Sequence, residues 1–498
     1  MKKALSLILA AALTLSVCLT GCSNPAVGTT GSAAQPSTGK NTPAKVALTM
    51  YVLGDKPVEF DNVMKKFNEK LTEKMNATLQ VNWIGWGDYT NKYPLLLSSG
   101  ESFDLIYTAT WLNYYQQAQK GAFMALDDLL PKYAPKSWEQ TSKIARMEAT
   151  VNGKVYCVPS GKSTYNAYGP IVRGDLMKKY GMTSINNFND LEKFLQTVKD
   201  KDPEMQPFDL YSAGSELDDV YMFTYGLYPL TGNCGSVYWI DPTQANPKIF
   251  SKPEWEKMPE FLNKMKAWCD KGFWPKSALS NKDSMLTENG KASMKLHNID
   301  TWSSTYTKKP EWDFKFFNLV KQNENLSYVQ DAMAIPNSCK NPDRALQLLE
   351  LLRTDEELYD LFTYGVQGVN YEKESDGTVK NLMPENWALD ACGWGFRTDK
   401  FTRESAGGPP TFQAEKKKIQ DSVVENKFRA FHFDTDSFKN EYAAVQNVMQ
   451  QYFGPLEVGY TDPTSGLAEV KKQMTAAGND KIKAELQKQL DQFIAENK

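Results

Sequence analysis

VALTMYVLG, residues 46–54, is an apolar run that lacks the in–out alternation of a half-exposed strand and closes on a glycine. A strand covered on both faces reads this way. Behind it, Phe60, Val63, Met64, Phe67, Leu71 and Met75 recur at helical spacing along one face. ATLQVNWIGW (77–86) predicts a second strand, followed by a helix from about Tyr89 to Ser99 that Gly100 stops. FDLIYTA (103–109) predicts a third strand, with a helical run from Trp111. Alternation of this kind predicts βαβ units and a mainly parallel sheet.

Further along, VNGKVYCVPSG (151–161) predicts a short hairpin, and YGPIVRGDLMKKYG (168–181) opens a second strand–helix series. Residues 191–283 read as largely helical, interrupted by the aromatic loop region YGLYPLTGNCGSVYWIDP (225–242). Residues 327–362 predict a strand, a proline-bearing turn and a long helix, and helices follow from Phe431 to the amphipathic DKIKAELQKQLDQFIAEN (480–497). No repeat of fixed period is visible. A chain of 498 residues is too long for one ordinary core. Two α/β lobes are expected, with the chain crossing between them more than once. Open parallel sheets bind ligands beyond the carboxyl ends of their strands, and two such sheets facing each other make a cleft.

The N-terminus is of another kind. Lys2 and Lys3 precede an apolar run from Ala4 to Leu19, which is shorter than the ~20 residues that span a bilayer and fits a secretory leader. It ends in Leu19-Thr20-Gly21-Cys22, which resembles the bacterial lipobox, so residues 1–21 are expected to be removed and Cys22 acylated. From Ser23 to Ala44 the chain is rich in Ser, Thr, Gly, Pro and Ala, with little to bury, and should act as a disordered tether reaching on the order of 25 Å.

Composition narrows the function. A net charge of -3 without a basic run argues against nucleic acid. Two histidines, His297 and His432, are too few for a histidine triad or a His-based zinc site, and neither metal nor cofactor is expected. Beyond Cys18 and Cys22, the cysteines Cys157, Cys234, Cys269, Cys339 and Cys392 are scattered, and their pairing cannot be read. No Gly-x-Ser-x-Gly elbow, Walker loop or EF-hand loop occurs, and Asp434-Thr435-Asp436 lacks the other calcium ligands. The chain is expected not to be an enzyme. A surface glycosidase, needing two carboxylates across a cleft, is the competing class.

Several stretches then look familiar in order: WGDYTNKYPLLLSSGESFDLIYTATW (86–111), GAFMALDDLLPKYAP (121–135), VRGDLMKKYGM (172–182), GKASMKLHNIDTW (290–302), SCKNPDRALQLLELL (338–352) and YGVQGVNYE (364–372). Together they resemble the extracellular solute-binding lipoproteins of bacterial ABC sugar importers, in particular the LipO-like branch. The stretch from His432 onward resembles that branch's poorly characterised C-terminal domain. The resemblance implies a two-lobed, periplasmic-binding-protein-like α/β fold of the cluster type. It has mainly parallel sheets, helices on both faces and a ligand cleft between lobes. The expected organisation is 45–162 with 326–365 as the N-terminal lobe, and 163–325 with 366–498 as the C-terminal lobe, including a helical domain at about 428–498. The implied partners are an oligosaccharide, two permease subunits with a cytoplasmic ATPase, and the membrane through the lipid anchor. The protein is expected to be a monomer, lipid-anchored on the extracellular face of a Gram-positive cell membrane, or facing the periplasm if the cell is Gram-negative. A non-sugar solute such as a peptide or polyamine is the alternative ligand.

A sugar offers apolar C–H faces to flat rings and hydroxyls that each need a partner once buried. Aromatic and charged residues near strand ends are therefore the candidates. In the first lobe these are Asp55, Lys56, Trp86, Asp88, Thr110 and Trp111, with Asp88 and Thr110 also readable as helix caps and Trp83 as core. In the second they are Tyr165, Arg173, Tyr225, Trp239, Asp300 and Trp302, and Trp394 and Arg397 are loop candidates. Asp300 and Trp302 are chosen partly because they match a stretch where maltose-type binding proteins place cleft residues. Replacing Cys22 with Ala is expected to move the protein from the membrane fraction to the soluble one with its fold unchanged. Retention after a salt wash, followed by immunoblot, would contradict the anchor.

Overall fold

The computed structural model describes residues 44–87, 89–210, 216–231, 235–281, 283, 285–388 and 393–497. The leader, Cys22, the tether up to Pro43, Asp88, Cys234 and Cys392 lie outside the described residues. Val46–Leu53 pairs in parallel with Ala77–Ile84 along its length and with Leu105–Thr108 on its other side. The helix Phe60–Met75 buries Phe60, Val63, Met64, Phe67 and Leu71 against this sheet, as its spacing predicts. Each such side chain contributes about 1.5–3 kcal/mol. The helix ends at Asn76 in the left-handed region (φ 48°), whose N–H donates to the Thr72 carbonyl.

The sheet is completed from elsewhere in the chain. Ala332–Ala334 runs antiparallel between Leu105–Thr108 and Cys157–Pro159, so the strand order by residue is 77–84, 46–53, 105–108, 332–334, 157–159. Ala332 stands opposite both Thr108 and Pro159. The residues that lead into the returning strand therefore lie at the edge where the parallel strands end. The predicted hairpin is present as Thr150–Val151 against Lys154–Val155. Its turn is Asn152-Gly153 with φ of 48° and 76°, the pairing that a two-residue turn demands.

The second lobe differs from the parallel arrangement expected. Its sheet has Tyr168–Val172 in the middle, antiparallel to both Met294–Asn298 and Lys315–Phe316. The helix Ile299–Lys308 joins the two outer strands, which run the same way. The strand–helix–strand reading thus holds there, but the central strand enters from the first lobe and runs oppositely, splitting the unit. The aromatic region 225–242 is also more regular than expected. Tyr228–Pro229, Tyr238–Ile240 and Phe250–Ser251 form a small antiparallel sheet.

Two large apolar cores and a smaller third one follow from these sheets. Tyr371, Val379, Trp387, Phe396 and Phe401 sit in the first core, although the sequence reading puts residues 366–498 with the second lobe. They pack beside Tyr359 and Phe362 because the chain folds back over the helix it has just left. Phe428 to Leu490 of the C-terminal region pack into the second core. Among the described residues Cys157, Cys269 and Cys339 are free and buried.

The crossing segments pair with each other as a short ribbon. Tyr165 bridges Asn325, the Asn166 N–H donates to the Glu324 carbonyl (3.1 Å) and the Leu326 N–H to that of Thr164 (2.9 Å). Glu324 is 3% exposed, and burial pushes its carboxyl up to about 7 against hydrogen bonds from Asn426 and Gln322 and the charge of Arg429. Between its ordinary value and pH 7 the native state holds this proton while the unfolded chain has lost it. This contribution is therefore present at low pH and lost as pH rises through 7. On the order of 3 kcal/mol is its ceiling at 1.36 kcal/mol per pKa unit. Glu324→Gln keeps the acceptor for Asn426 and should flatten the fall in Tm between pH 5 and 8. Parallel Tm-against-pH curves for the two proteins would refute this.

Candidate functional site

The strand ends of the first sheet collect the site. Leu53, Ile84 and Thr108 all finish at one edge, and Gln330-Asp331 and Ser160 meet the same edge through the antiparallel strands. There Trp86, 41% exposed, lies 5.6 Å from Trp394 and 6.3 Å from Trp111 between ring centroids, tilted 31° to each. Tyr89 stands edge-on to both Trp86 (5.9 Å) and Trp111 (5.8 Å). Tyr107 closes the cluster from below, 5.9 Å from Trp111 and 6.3 Å from Trp394. The result is a platform of three indoles at the mouth of the sheet, with Trp86 exposed and Trp111 and Trp394 half-buried.

Each ring is held by the polypeptide around it. The Trp111 Nε1–H donates to the Gln330 carbonyl (3.0 Å), which ties the platform to the returning strand. The Tyr107 hydroxyl donates to Asp331, and burial followed by that carboxylate raises the phenol well above its ordinary range. Trp394 reaches the edge because Gly395 lets the turn Trp394–Phe396 press on the strand. A Cβ there would lie 2.7 Å from the Ala332 carbonyl oxygen. Arg397 follows, its guanidinium carbon 5.5 Å from the Trp394 ring centroid. Its carbonyl accepts from the Gly161 N–H (2.8 Å).

The second sheet contributes from the opposite side. Asn298 pairs with Tyr168, so Asp300 and Tyr165 leave the same edge of that sheet. Asp300 is exposed in the second position of the helix Ile299–Lys308, and Asn298 caps that helix through its bond from the Thr301 N–H. The protein around this open position desolvates the Asp300 carboxyl and pushes it up, but Lys162, Lys416 and Arg397 outweigh that and hold the group below its ordinary value. Lys416 is itself paired with Glu404 at 2.5 Å. Tyr165, half-buried, has its phenol raised by burial and by Asp399. Indoles on one side and charges of both signs on the other suit a ligand with apolar faces and many hydroxyls.

The sequence candidates divide accordingly. Trp86, Trp111, Trp394, Arg397, Asp300 and Tyr165 come together. Asp55 adjoins them, its Oδ1 3.4 Å from where a Gly85 Cβ would be. Thr110 is almost buried at this edge, with its hydroxyl 3.5 Å from Gln330 Oε1. Lys56 turns instead to Asp61, at 2.6 Å on the helix Phe60–Met75 that follows it. Asp88 lies outside the described residues.

Four candidates are elsewhere. Trp302 is 2% exposed, donates its Nε1–H to the Phe314 carbonyl (2.7 Å) and packs on Phe316 and Phe412. It is core, because Ile299, Trp302 and Thr305 form the inward face of their helix and Asp300 points the other way. Trp239 is fully enclosed in the second core, on the middle strand of its small sheet. Arg173 follows the far end of Tyr168–Val172, bound twice to Asp175 (2.8 and 2.6 Å) and lying 3.9 Å over Trp312. Tyr225 stacks edge-on to Trp255 at 5.0 Å on the second core's surface. Sequence reasoning missed Tyr89, Tyr107, Gln330, Asp331, Lys162 and Lys416. Only Tyr89, three residues from Trp86, carried a local signal.

The chain is similar to known proteins along most of its length. Residues 54–358 match the family model described as bacterial extracellular solute-binding protein, and residues 427–495 a domain of unknown function, DUF3502. A carbohydrate ABC transporter substrate-binding protein of Streptococcus pneumoniae is 26% identical over 91% of this chain and 92% of its own. Lipoprotein LipO of Bacillus subtilis is 22% identical over 64% of this chain and 66% of its own. Among solved structures, the N-glycan transport solute-binding protein NgtS of S. pneumoniae with Man5GlcNAc superposes with a TM-score of 0.78. It is 25% identical, over 91% of this chain and 100% of that one.

The platform and the core tryptophan should separate in unfolding experiments. Trp302→Ala is expected to cost about 3–5 kcal/mol. Trp86→Ala should stay within about 0.5 kcal/mol of the parent in denaturant titrations. Equal losses would show that Trp86 is a structural ring and not an open face.

Proposed function

The chain belongs to the bacterial extracellular solute-binding proteins, and we propose that it captures an oligosaccharide in the cleft described above and delivers it to the permease of an ABC importer. The observation that carries this reading is the Trp86–Trp111–Trp394 platform, joined to Asp300 by Arg397, which lies over Trp394 and acts on the Asp300 carboxyl. Apolar sugar faces lie on the indoles, while Asp300, Arg397, Lys162 and Tyr165 exchange hydrogen bonds with hydroxyls. Buried hydroxyls must be satisfied from both sides, so ligand favours the state in which the lobes approach. Two permease subunits, a cytoplasmic ATPase and an acylated Cys22 complete the proposal. The anchor keeps a monomeric receptor at high effective concentration beside its transporter on the outer face of the cell membrane. Similarity to the carbohydrate ABC transporter substrate-binding protein of S. pneumoniae supports a carbohydrate ligand.

Binding is passive in this reading. Arg397 and Asp300 hold the ligand and no residue is assigned to bond cleavage. Calorimetric titration of residues 44–498 against an oligosaccharide panel should yield one tight binder, recovered intact after hours. Stacking on aromatic rings elsewhere is worth roughly 1–3 kcal/mol, and a sugar lacks a second π-system, so Trp111→Ala should weaken binding about tenfold. Shortened sugar products would favour a glycosidase. A panel of peptides or polyamines binding where sugars fail would redirect the ligand class.

A further inference from the structure

Residues 426–433 touch three parts of the protein at once. Arg429 donates its Nε–H to Glu148 Oε1 (2.7 Å), and Glu148, on the first lobe's helix Lys143–Glu148, is fully buried. The other Glu148 oxygen accepts the Tyr328 N–H (2.8 Å), and Arg429 Nη2 donates to the Leu326 carbonyl (2.9 Å), so both residues hold the crossing ribbon. Asn426 donates to Glu324 Oε2 (2.6 Å) in the same ribbon. His432 stacks flat on Tyr115 of the first lobe at 4.6 Å and 4°. Meanwhile Phe428, Phe431 and Phe433 are embedded in the second core.

A buried ion pair cannot be pulled apart without leaving a desolvated charge, at a cost of several kcal/mol. Lobe closure must therefore leave Glu148 and Arg429 together, and atoms stay together during a rotation only where they lie near its axis. We infer that the segment 426–433, which opens the C-terminal domain, is the pivot of lobe closure, with the Glu148–Arg429 pair near the hinge axis. This gives the domain of unknown function a task. It adds a further tie beside the crossing segments and restricts the lobes to one path of closure. Glu148 and Arg429 are positioning residues and touch no ligand. The inference rests on the reading that the cleft opens and closes.

The test needs no ligand. In residues 44–498, spin labels on non-natural amino acids at Leu95 and Tyr452, both exposed, report the distance between the lobes by pulsed electron resonance. Glu148→Leu combined with Arg429→Met removes both charges together, so neither is left buried and unpaired, and it releases the Tyr328 N–H and the Leu326 carbonyl from the C-terminal segment. The expected result is a cooperatively melting protein whose distance distribution is at least twice as wide as the parent's. An unchanged width in the folded double variant overturns the pivot. Should it fail to fold, Arg429→Lys keeps the charge and loses the forked grip on Leu326, and it must still broaden the distribution. An unchanged width there overturns the inference equally. Failure of every sugar to bind would refute the proposed ligand and leave this measurement as it stands.

Discussion

A three-residue strand, Ala332–Ala334, inserted antiparallel between Leu105–Thr108 and Cys157–Pro159, carries more of this structure than its length suggests. It brings the chain back from the second lobe to the middle of the first sheet, so neither lobe is finished without the other. Its register, with Ala332 opposite Thr108, sets Asp331 beside Tyr107 and the Gln330 carbonyl beside the Trp111 indole. A slip of one residue would turn every side chain of the strand to the other face of the sheet. The orientation of the indole platform is thus decided by backbone pairing some 220 residues away in sequence, as the 219-residue separation of Trp111 and Gln330 records.

The electrostatics of the cleft suit binding. Charges of both signs lie close together, with Asp300 among Lys162, Lys416 and Arg397 and with Lys416 already paired to Glu404. Mixed charges supply donors and acceptors at strong hydrogen-bond strength without favouring a formally charged ligand. The buried lysine of the second core is neutralised locally. Lys252 in the second lobe sits between Asp218 (2.5 Å) and Asp219 (2.7 Å), far from any open surface. Such a pair holds a fold in one arrangement more than it stabilises it.

The same division shapes the joint between lobes. The crossing ribbon is short, and Glu324 and the Leu326 carbonyl on it are met by the C-terminal segment through Asn426 and Arg429. The C-terminal helices bury Ile482, Leu486 and Leu490 in the second core. Their first residues reach the first lobe at Glu148 and Tyr115. The C-terminal domain and the hinge are therefore parts of one packing problem.

What the sequence determined by itself is local. Apolar runs and 3.6-residue spacing yield the strands Val46–Leu53 and Ala77–Ile84 and the buried face of Phe60–Met75, and Asn152-Gly153 yields a hairpin turn. Glycine-flanked Trp86 is legible as an open ring because nothing around it demands burial. The spacing Ile299, Trp302, Thr305 also marked Trp302 as inward-facing, and resemblance to a sugar-binding stretch drew attention away from it. Arg173 and Tyr165 both flank one short strand, yet only Tyr165 is at the cleft. Which end of a strand faces a ligand depends on the partners on either side, and these come from residues 294–316. Tyr107, Asp331, Lys162 and Lys416 became neighbours of the site only in three dimensions. Side-chain character and helical period are encoded within a few residues, whereas strand order, register and the meeting of two sheet edges depend on contacts between segments that the sequence keeps far apart.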